Sequence, residues 1–297
     1  MRKYLPEAAL VLAAFFFGVT FPLVANALDD AEPFAYLLIR FAIAVLVLGP
    51  FALVIARRGS VAERRLLTRV GLLAGVLLVG GYATQTIGLE TASPSTSAFI
   101  TGLYVVFTPL VEGALHRKSP PKGVLVGIAL ATVGLYMLTG ADFEFGAGEL
   151  WTLACAVLFA IWIVYQGEYA KQVHPIPFTT VQMIVVVVLC VPGTAAQGVG
   201  DLTGLAVFAA AFTGIACSSV ALSLQVYGQR HIAASRAALI LLTEPVFAAI
   251  AGYVDGERLG SVELGGAAVI LLGITIAELG PGREQIPRPE LVEPHPF

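Results

Sequence analysis

Ala83-Thr84-Gln85-Thr86-Ile87-Gly88 returns 140 residues later as Ser223-Leu224-Gln225-Val226-Tyr227-Gly228, and the fold is read outward from that return. At the same offset Ser95, Ala98 and Ile100 meet Ser235, Ala238 and Ile240. Phe107-Thr108-Pro109-Leu110-Val111 then falls opposite Thr243-Glu244-Pro245-Val246-Phe247, now 136 residues on. The first copy therefore carries four extra residues, about one helical turn. Gly127-x-Ala129-x-x-x-x-Gly134 returns as Gly266-x-Ala268-x-x-x-x-Gly273. The chain is one unit written twice.

Composition makes it a membrane unit. Of 297 residues, 58% are hydrophobic and 12% charged, with a mean hydropathy of +0.87, whereas a soluble domain carries about 25% charge. Apolar runs of roughly 17 to 25 residues, the length that crosses a bilayer as helix, can be drawn ten times. They are 5–28, 34–56, 67–89, 95–115, 123–140, 149–168, 177–198, 205–228, 232–254 and 261–280. None has the period of two that a transmembrane barrel needs, and the short connections leave no room for a soluble domain. Arg2-Lys3, an apolar stretch and Ala25-Asn26-Ala27 resemble a cleaved signal. That stretch is too long for a signal's apolar core, and it is kept as the first of ten segments.

Net charge is only −3, but its placement orients the chain. With the N-terminus inside, fourteen Lys and Arg fall on cytoplasmic links and termini, Arg258 falls outside, and Arg40 and Arg236 lie within segments. That bias predicts cytoplasmic termini. External links are acidic, with Asp29, Asp30, Glu32, Asp142, Glu144 and Asp201. Five segments per copy force the second copy to start on the opposite face. The expected fold is an all-α integral membrane protein of ten transmembrane helices in two inverted five-helix repeats, residues 5–140 and 149–280, followed by a flexible cytoplasmic tail, 281–297. A pseudo-two-fold axis then lies in the membrane plane, with a cavity near the midplane lined by segments 3, 4, 8 and 9. Gly123-x-x-x-Gly127, Gly265/Gly266 and Gly71-x-x-x-Gly75 are expected to be close-packing seams.

Several stretches carry a resemblance. Phe17-Gly18-Val19-Thr20-Phe21, Arg40-Phe41, Thr101-Gly102-Leu103-Tyr104-Val105-Val106-Phe107-Thr108-Pro109, Thr243-Glu244-Pro245-Val246 and Gly256-Glu257-Arg258-Leu259 resemble, in their order and spacing, the EamA-like branch of the drug/metabolite transporter superfamily. The resemblance covers residues 5 to 280. It implies an inner-membrane secondary carrier, often an exporter, of a small polar metabolite such as an amino acid or related compound. The link His116-Arg117-Lys118 departs from the Gly-Glu-Arg of the second copy, and no role is carried onto it.

An ionisable side chain in hydrocarbon costs a few kcal/mol, so one that stays there faces a cavity or a partner. Glu244 lies near the middle of its segment and is followed by Pro245, which removes a backbone hydrogen bond. It is the candidate for proton coupling or for binding a substrate amine, or else it accepts hydrogen bonds from a neighbouring helix and fixes packing. Arg40, seven residues past Pro33, is the gating candidate, able to bind an anionic group; the alternative is that it snorkels outward or pairs with Asp29 or Glu32. Arg236 is expected to snorkel at the cytoplasmic face, and Glu112 to reach that interface or the basic link. Gln85 and Gln225, repeat equivalents, offer amide donors and acceptors to a zwitterion or a sugar. Tyr82, Thr101, Tyr104, Trp162, Gln182, Ser218 and Tyr227 are the other cavity-lining candidates, with interhelical hydrogen bonding as the competing role.

Cys155, Cys190 and Cys217 are expected to behave as small hydrophobes. No HExxH, paired CxxC, phosphate-binding loop or G-x-S-x-G occurs. No enzyme activity, cofactor, metal or nucleic-acid partner is therefore expected; the partners are the bilayer and a small-molecule substrate, in a monomer or homodimer. The alternatives are an intramembrane enzyme using a buried carboxyl, and a non-transporting receptor or assembly subunit.

Overall fold

Pro22 and Pro245 each lack the N–H that an unbroken helix requires, and two of the apolar runs are interrupted beside them. The computed structural model describes residues 4–28, 30–89, 91–92, 94–117, 119–140, 146–254 and 260–279. The tail 281–297, the Gly256-Glu257-Arg258-Leu259 motif, Asp29, Lys118, Asp142 and Glu144 lie outside the described residues.

The first run is α1 (Leu5–Val19) and α2 (Phe21–Leu28), hinged at Thr20. Its hydroxyl donates to the Phe16 and Phe17 carbonyls at 2.7 and 3.1 Å, satisfying acceptors that the break leaves open. Next come α3 (Pro33–Arg58), α4 (Val61–Leu89), α5 (Pro94–Gly102), α6 (Tyr104–His116) and α7 (Lys122–Thr139). Then follow α8 (Ala147–Ala170), α9 (Pro175–Gln197) and α10 (Gly204–Thr213). The run continues through a π-helical turn (Gly214–Ala221) into α11 (Leu222–Gln229). The last elements are α12 (Ala234–Leu241), α13 (Glu244–Val254) and α14 (Ser261–Leu279). The described residues form no strand beyond an isolated bridge between Ala31 and Gly200.

By length and composition, eight helical runs are suited to cross a membrane; Leu5–Val19 and Ser261–Ala277 are shorter apolar helices at the two ends. The multi-pass class expected from the sequence holds. Its detail differs in four runs, which are interrupted near Thr20, Leu103, 214–221 and 242–243 rather than continuous. α4 also begins six residues before the apolar run. There Ser60 Oγ accepts the Glu63 N–H (3.1 Å) and Glu63 Oε2 accepts the Ser60 N–H (2.6 Å), a capping box that starts the helix ahead of its hydrophobic stretch.

Large apolar side chains such as Leu46, Phe51, Val54, Leu72, Val188 and Phe208 face outward, as a bilayer solvent demands. Small residues let the interior close. α7 and α14 run antiparallel, with a Cβ at Gly127 or Gly134 meeting the Gly273 or Gly266 carbonyl at 2.6 Å, and the reverse contacts equally tight. A side chain at any of the four would force the two backbones apart. Gly71 and Gly75 press in the same way on Val181 and Val185 of α9.

α3 lies against α9, α4 against α8 and α9, and α1 against α11, α12, α13 and the π turn. At one end the links between α2 and α3 and between α9 and α10 are tied. The Asp201 N–H donates to the Asp30 carbonyl at 2.9 Å, and Thr203 Oγ1 donates to Asp30 Oδ2 at 3.0 Å. Gly200 sits there at φ +66°, where a Cβ would meet the Asp30 carbonyl at 2.6 Å.

Candidate functional site

Two turns into α3, the Arg40 side chain turns into the bundle, where it is 7% exposed. It borders a cavity of about 190 Å³ lined from α1, α2, α3, α4, the π turn and α13. Polar groups on its wall are Thr20, Tyr36, Arg40, Tyr82, Gln85 and Glu244, and apolar ones include Phe17, Val24 and Leu37. The cavity reaches from Glu244 to Leu28 and Pro33 at the α2–α3 link. Among the described lining residues, the charged ones are Arg40 and Glu244.

Arg40 is held by its own surroundings. Its Nε donates to Ser218 Oγ at 2.9 Å, and the guanidinium carbon stands 5.5 Å from the centre of the Phe41 ring. One turn before it, the Tyr36 hydroxyl shares a 2.9 Å hydrogen bond with Thr213 Oγ1. The π turn is what delivers Ser218. A π turn has wider spacing than an α-helix and shifts the facing of successive side chains, a device common at functional sites. Here it aims Ser218 at α3 and Cys217 at α1, where the thiol meets Thr20 Oγ1 at 3.0 Å. Ser219 Oγ bonds the Gly214 carbonyl at 2.9 Å, five residues back, and closes the wide turn on itself.

Glu244 opens α13 directly after the interruption at 242–243. Thr243 Oγ1 bonds the Ile240 carbonyl at 2.8 Å across the break, and the N-terminus of α13 favours a nearby negative charge. No described donor reaches the Glu244 carboxylate, and no direct ion pair joins it to Arg40, although the two lie within electrostatic reach. The arrangement offers a small solute one cationic fork and one carboxylate in a mostly apolar enclosure.

The candidates named from sequence divide into two groups. Tyr82, Gln85, Arg40 and Glu244 line the cavity. Thr101 stands behind Gln85, whose Nε2 donates to its hydroxyl at 3.2 Å, and Tyr104 is within electrostatic reach of Glu244. Ser218 supports Arg40 rather than bordering the space. Trp162 and Gln182 belong to a separate buried chain of hydrogen bonds between α8, α9 and α11. Trp162 Nε1 donates to Gln182 Oε1 (2.8 Å), Gln182 Nε2 to Gln166 Oε1 (3.3 Å), Gln166 Nε2 to Gln229 Oε1, and Gln229 Nε2 to the Ile163 carbonyl (2.9 Å). Gln225 is buried with its Nε2 unpartnered among the described residues. The Tyr227 ring packs on His231 at the end of α11, away from the cavity. Among the described residues the walls therefore come from α1 to α4, the π turn and α13, and none from α5 or α6 lines the space.

Three other sequence expectations change. Glu112 does not seek the basic link. It accepts hydrogen bonds from the Ala234 and Ser235 N–H groups, at 3.0 and 2.9 Å, and from the Ser235 hydroxyl, so it caps α12 from the first copy. Arg236 is 8% exposed and reaches Glu7 at 3.9 Å instead of snorkelling. Arg40 likewise neither snorkels nor pairs with Glu32. Tyr36 and the π turn were not singled out from sequence, and Thr20 entered only within the Phe17–Phe21 stretch. Tyr36 had a signal, since it lies one turn from Arg40 and shares its helix face. Among the described residues no group of three His, Cys, Asp or Glu side chains is placed to hold a metal ion.

The sequence profile of the EamA-like transporter family matches this chain twice, at residues 5–140 and 146–278. The chain belongs to that family. An uncharacterized transporter of Archaeoglobus fulgidus is 30% identical over 281 residues, covering 94% of this chain and 87% of the relative. A second uncharacterized transporter of the same organism is 26% identical, covering 91% of this chain and 95% of its own length. A crystal structure of a protein at 18% identity superposes with a TM-score of 0.78 over 92% of this chain and 96% of that one, a likeness of fold. This EamA-family chain is a multi-pass membrane protein.

Proposed function

We propose that the chain is a secondary carrier that moves a small polar metabolite through the Arg40–Glu244 cavity by alternating access, with Glu244 as the coupling group and Arg40 as the anion-binding and gating group. The observation that carries this reading is the pair itself: two opposite charges facing one cavity inside a membrane bundle without neutralising each other. Such a pair suits a solute with an anionic and a cationic group, an amino acid or a related compound. Glu244, with no donor among the described residues, is free to exchange a proton or to accept a substrate ammonium.

The architecture we infer is ten crossings in two inverted five-helix units, 5–140 and 149–280, with both termini and the tail 281–297 cytoplasmic in the cell inner membrane. Three observations support it. The family profile matches twice in succession. The glycines of α7 and α14 contact each other reciprocally in an antiparallel pair, as helices related by an in-plane two-fold axis would. The two shorter apolar helices at the ends complete the eight longer runs. With the termini inside, the cavity leads to the external face through Leu28 and Pro33, and export is the inferred direction.

Thermal-shift screening of purified protein against amino acids, nucleosides, sugars and polyamines tests the site. A stabilising compound whose effect disappears in Arg40→Met and in Glu244→Gln supports the reading. A stabilising compound unaffected by both substitutions would move the site elsewhere.

A further inference from the structure

We propose that the buried seam of Trp162, Gln166, Thr179, Gln182 and Gln225 is the closed cytoplasmic half of the translocation path, a second substrate-facing surface that is uncharged and hydrogen-bonding. The proposal rests on the inverted-repeat carrier reading and assigns residues to its other state.

Reciprocal contacts fix which residues correspond. A Cβ at Gly88 of α4 would meet the Gly148 carbonyl at 2.9 Å and press on Thr152 Oγ1, both in α8. A Cβ at Gly228 of α11 would meet the Pro6 carbonyl at 3.1 Å and the Leu10 side chain at 2.5 Å, both in α1. Gly88 and Gly228 are repeat equivalents, so Pro6 matches Gly148 and Leu10 matches Thr152, an offset of 142. The same offset takes Pro33, which opens α3, to Pro175, which opens α9.

The mapping can now be applied to the cavity wall. At the offset of 142 Thr20 goes to Trp162, Val24 to Gln166, Leu37 to Thr179 and Arg40 to Gln182, and at 140 Gln85 goes to Gln225, while the mates of Tyr36 and Tyr82 are the apolar Phe178 and Leu222. The first five mates are polar or carry a donor, and none of them is more than 5% exposed. They lie toward the α8–α9 link, which is cytoplasmic in the inferred topology. Four buried side-chain polar atoms have no hydrogen-bond partner among the described residues, and two of them, Thr179 Oγ1 and Gln225 Nε2, fall in this seam. Buried polar groups are normally satisfied. A seam serving only as glue gives no reason to keep two that are not. A surface that meets water and substrate when the halves exchange does.

The chemistry of the two halves then differs in a definite way. The outer wall holds Arg40 and Glu244, while their mates are Gln182 and, at the 136-residue offset, Thr108. A solute drawn to charges on one side is handed to neutral amides on the other.

Side-specific labelling decides the matter. In a background with Cys155, Cys190 and Cys217 replaced by Ala, single substitutions Thr179→Cys, Gln225→Cys and Val24→Cys are exposed to a membrane-impermeant maleimide in right-side-out and inside-out vesicles. The expected result is labelling of Val24→Cys from the external face, and of Thr179→Cys and Gln225→Cys from the cytoplasmic face. If Val24→Cys labels from outside while both seam positions stay inert from inside, the proposal is overturned and the outer cavity stands. If Val24→Cys is inert from outside, the carrier reading itself falls. Radiolytic footprinting of the unsubstituted protein gives the same information without a mutation. With each residue scaled to its rate in the unfolded chain, water visiting the seam oxidises Trp162 well above the buried Leu135 of α7, whereas equal, background oxidation of both contradicts the proposal.

Discussion

Glu244 and Arg40 remain apart in one cavity because each is positioned by a backbone device rather than by the other. Arg40 is braced by Ser218 from the π turn, and Glu244 opens a half-helix whose free N–H groups favour its charge. Glu244→Gln keeps shape and hydrogen bonding but cannot carry a proton, so transport by this variant is expected to lose its pH dependence; flux measured across a pH series checks it, and an unchanged profile refutes proton coupling. Arg40→Lys keeps charge but loses the planar fork and should weaken binding of an anionic solute by about tenfold, read by thermal shift or flux competition. Gln229→Leu deletes the last amide of the α8–α9–α11 chain and is expected to cost about 1 kcal/mol, measured by unfolding in detergent. Both charged residues were legible in the sequence because a charge inside an apolar run stands out. Their neutral neighbours were less so: Gln85 and Gln182 look alike as letters, yet one lines the cavity and the other lies in a hydrogen-bonded chain.

The elements follow the apolar runs closely, and their interruptions follow chemistry that a hydropathy reading only partly sees. Pro245 announces a bend beside Glu244. The π turn at Gly214–Ala221 has no comparable letter to announce it and shows only in three dimensions. The Ser60–Glu63 capping box was present in the sequence as S-x-x-E and extends α4 past its hydrophobic stretch. The α7–α14 seam leaves no space for a side chain, so Gly134→Val is expected to destabilise the bundle by about 1–3 kcal/mol, seen as a lower melting temperature in detergent. At the head of α9, His174 Nδ1 accepts the Ile176 N–H at 3.3 Å, a task for the neutral ring. Burial, and then the Arg230 charge, hold its pKa below the ordinary 6.5. The unfolded chain then takes up this proton more readily than the folded one. Stability from the cap is complete above pH 6.5 and is lost as pH falls through 6.5 toward the lowered value. Melting temperatures across that window should decline, and His174→Asn should remove this part of the decline.

For the whole molecule, the duplication was visible because its polar and proline positions recur at nearly constant offsets. The difference between its halves was not. The open cavity is walled mainly by the first copy, while the matching residues of the second are buried, a difference that a sequence does not record. Reporter fusions should place both termini on one side of the membrane and the α2–α3 link on the other; finding all three on the same side, or the termini on different sides, would break the inverted arrangement. The most direct measurement is flux into proteoliposomes holding the purified protein, followed over a broad panel of amino acids and related metabolites under imposed solute and proton gradients. The account predicts saturable exchange or gradient-driven uptake of at least one compound, abolished by Arg40→Met. Absence of flux for the whole panel by protein that is folded and inserted, or flux that Arg40→Met leaves intact, would contradict it.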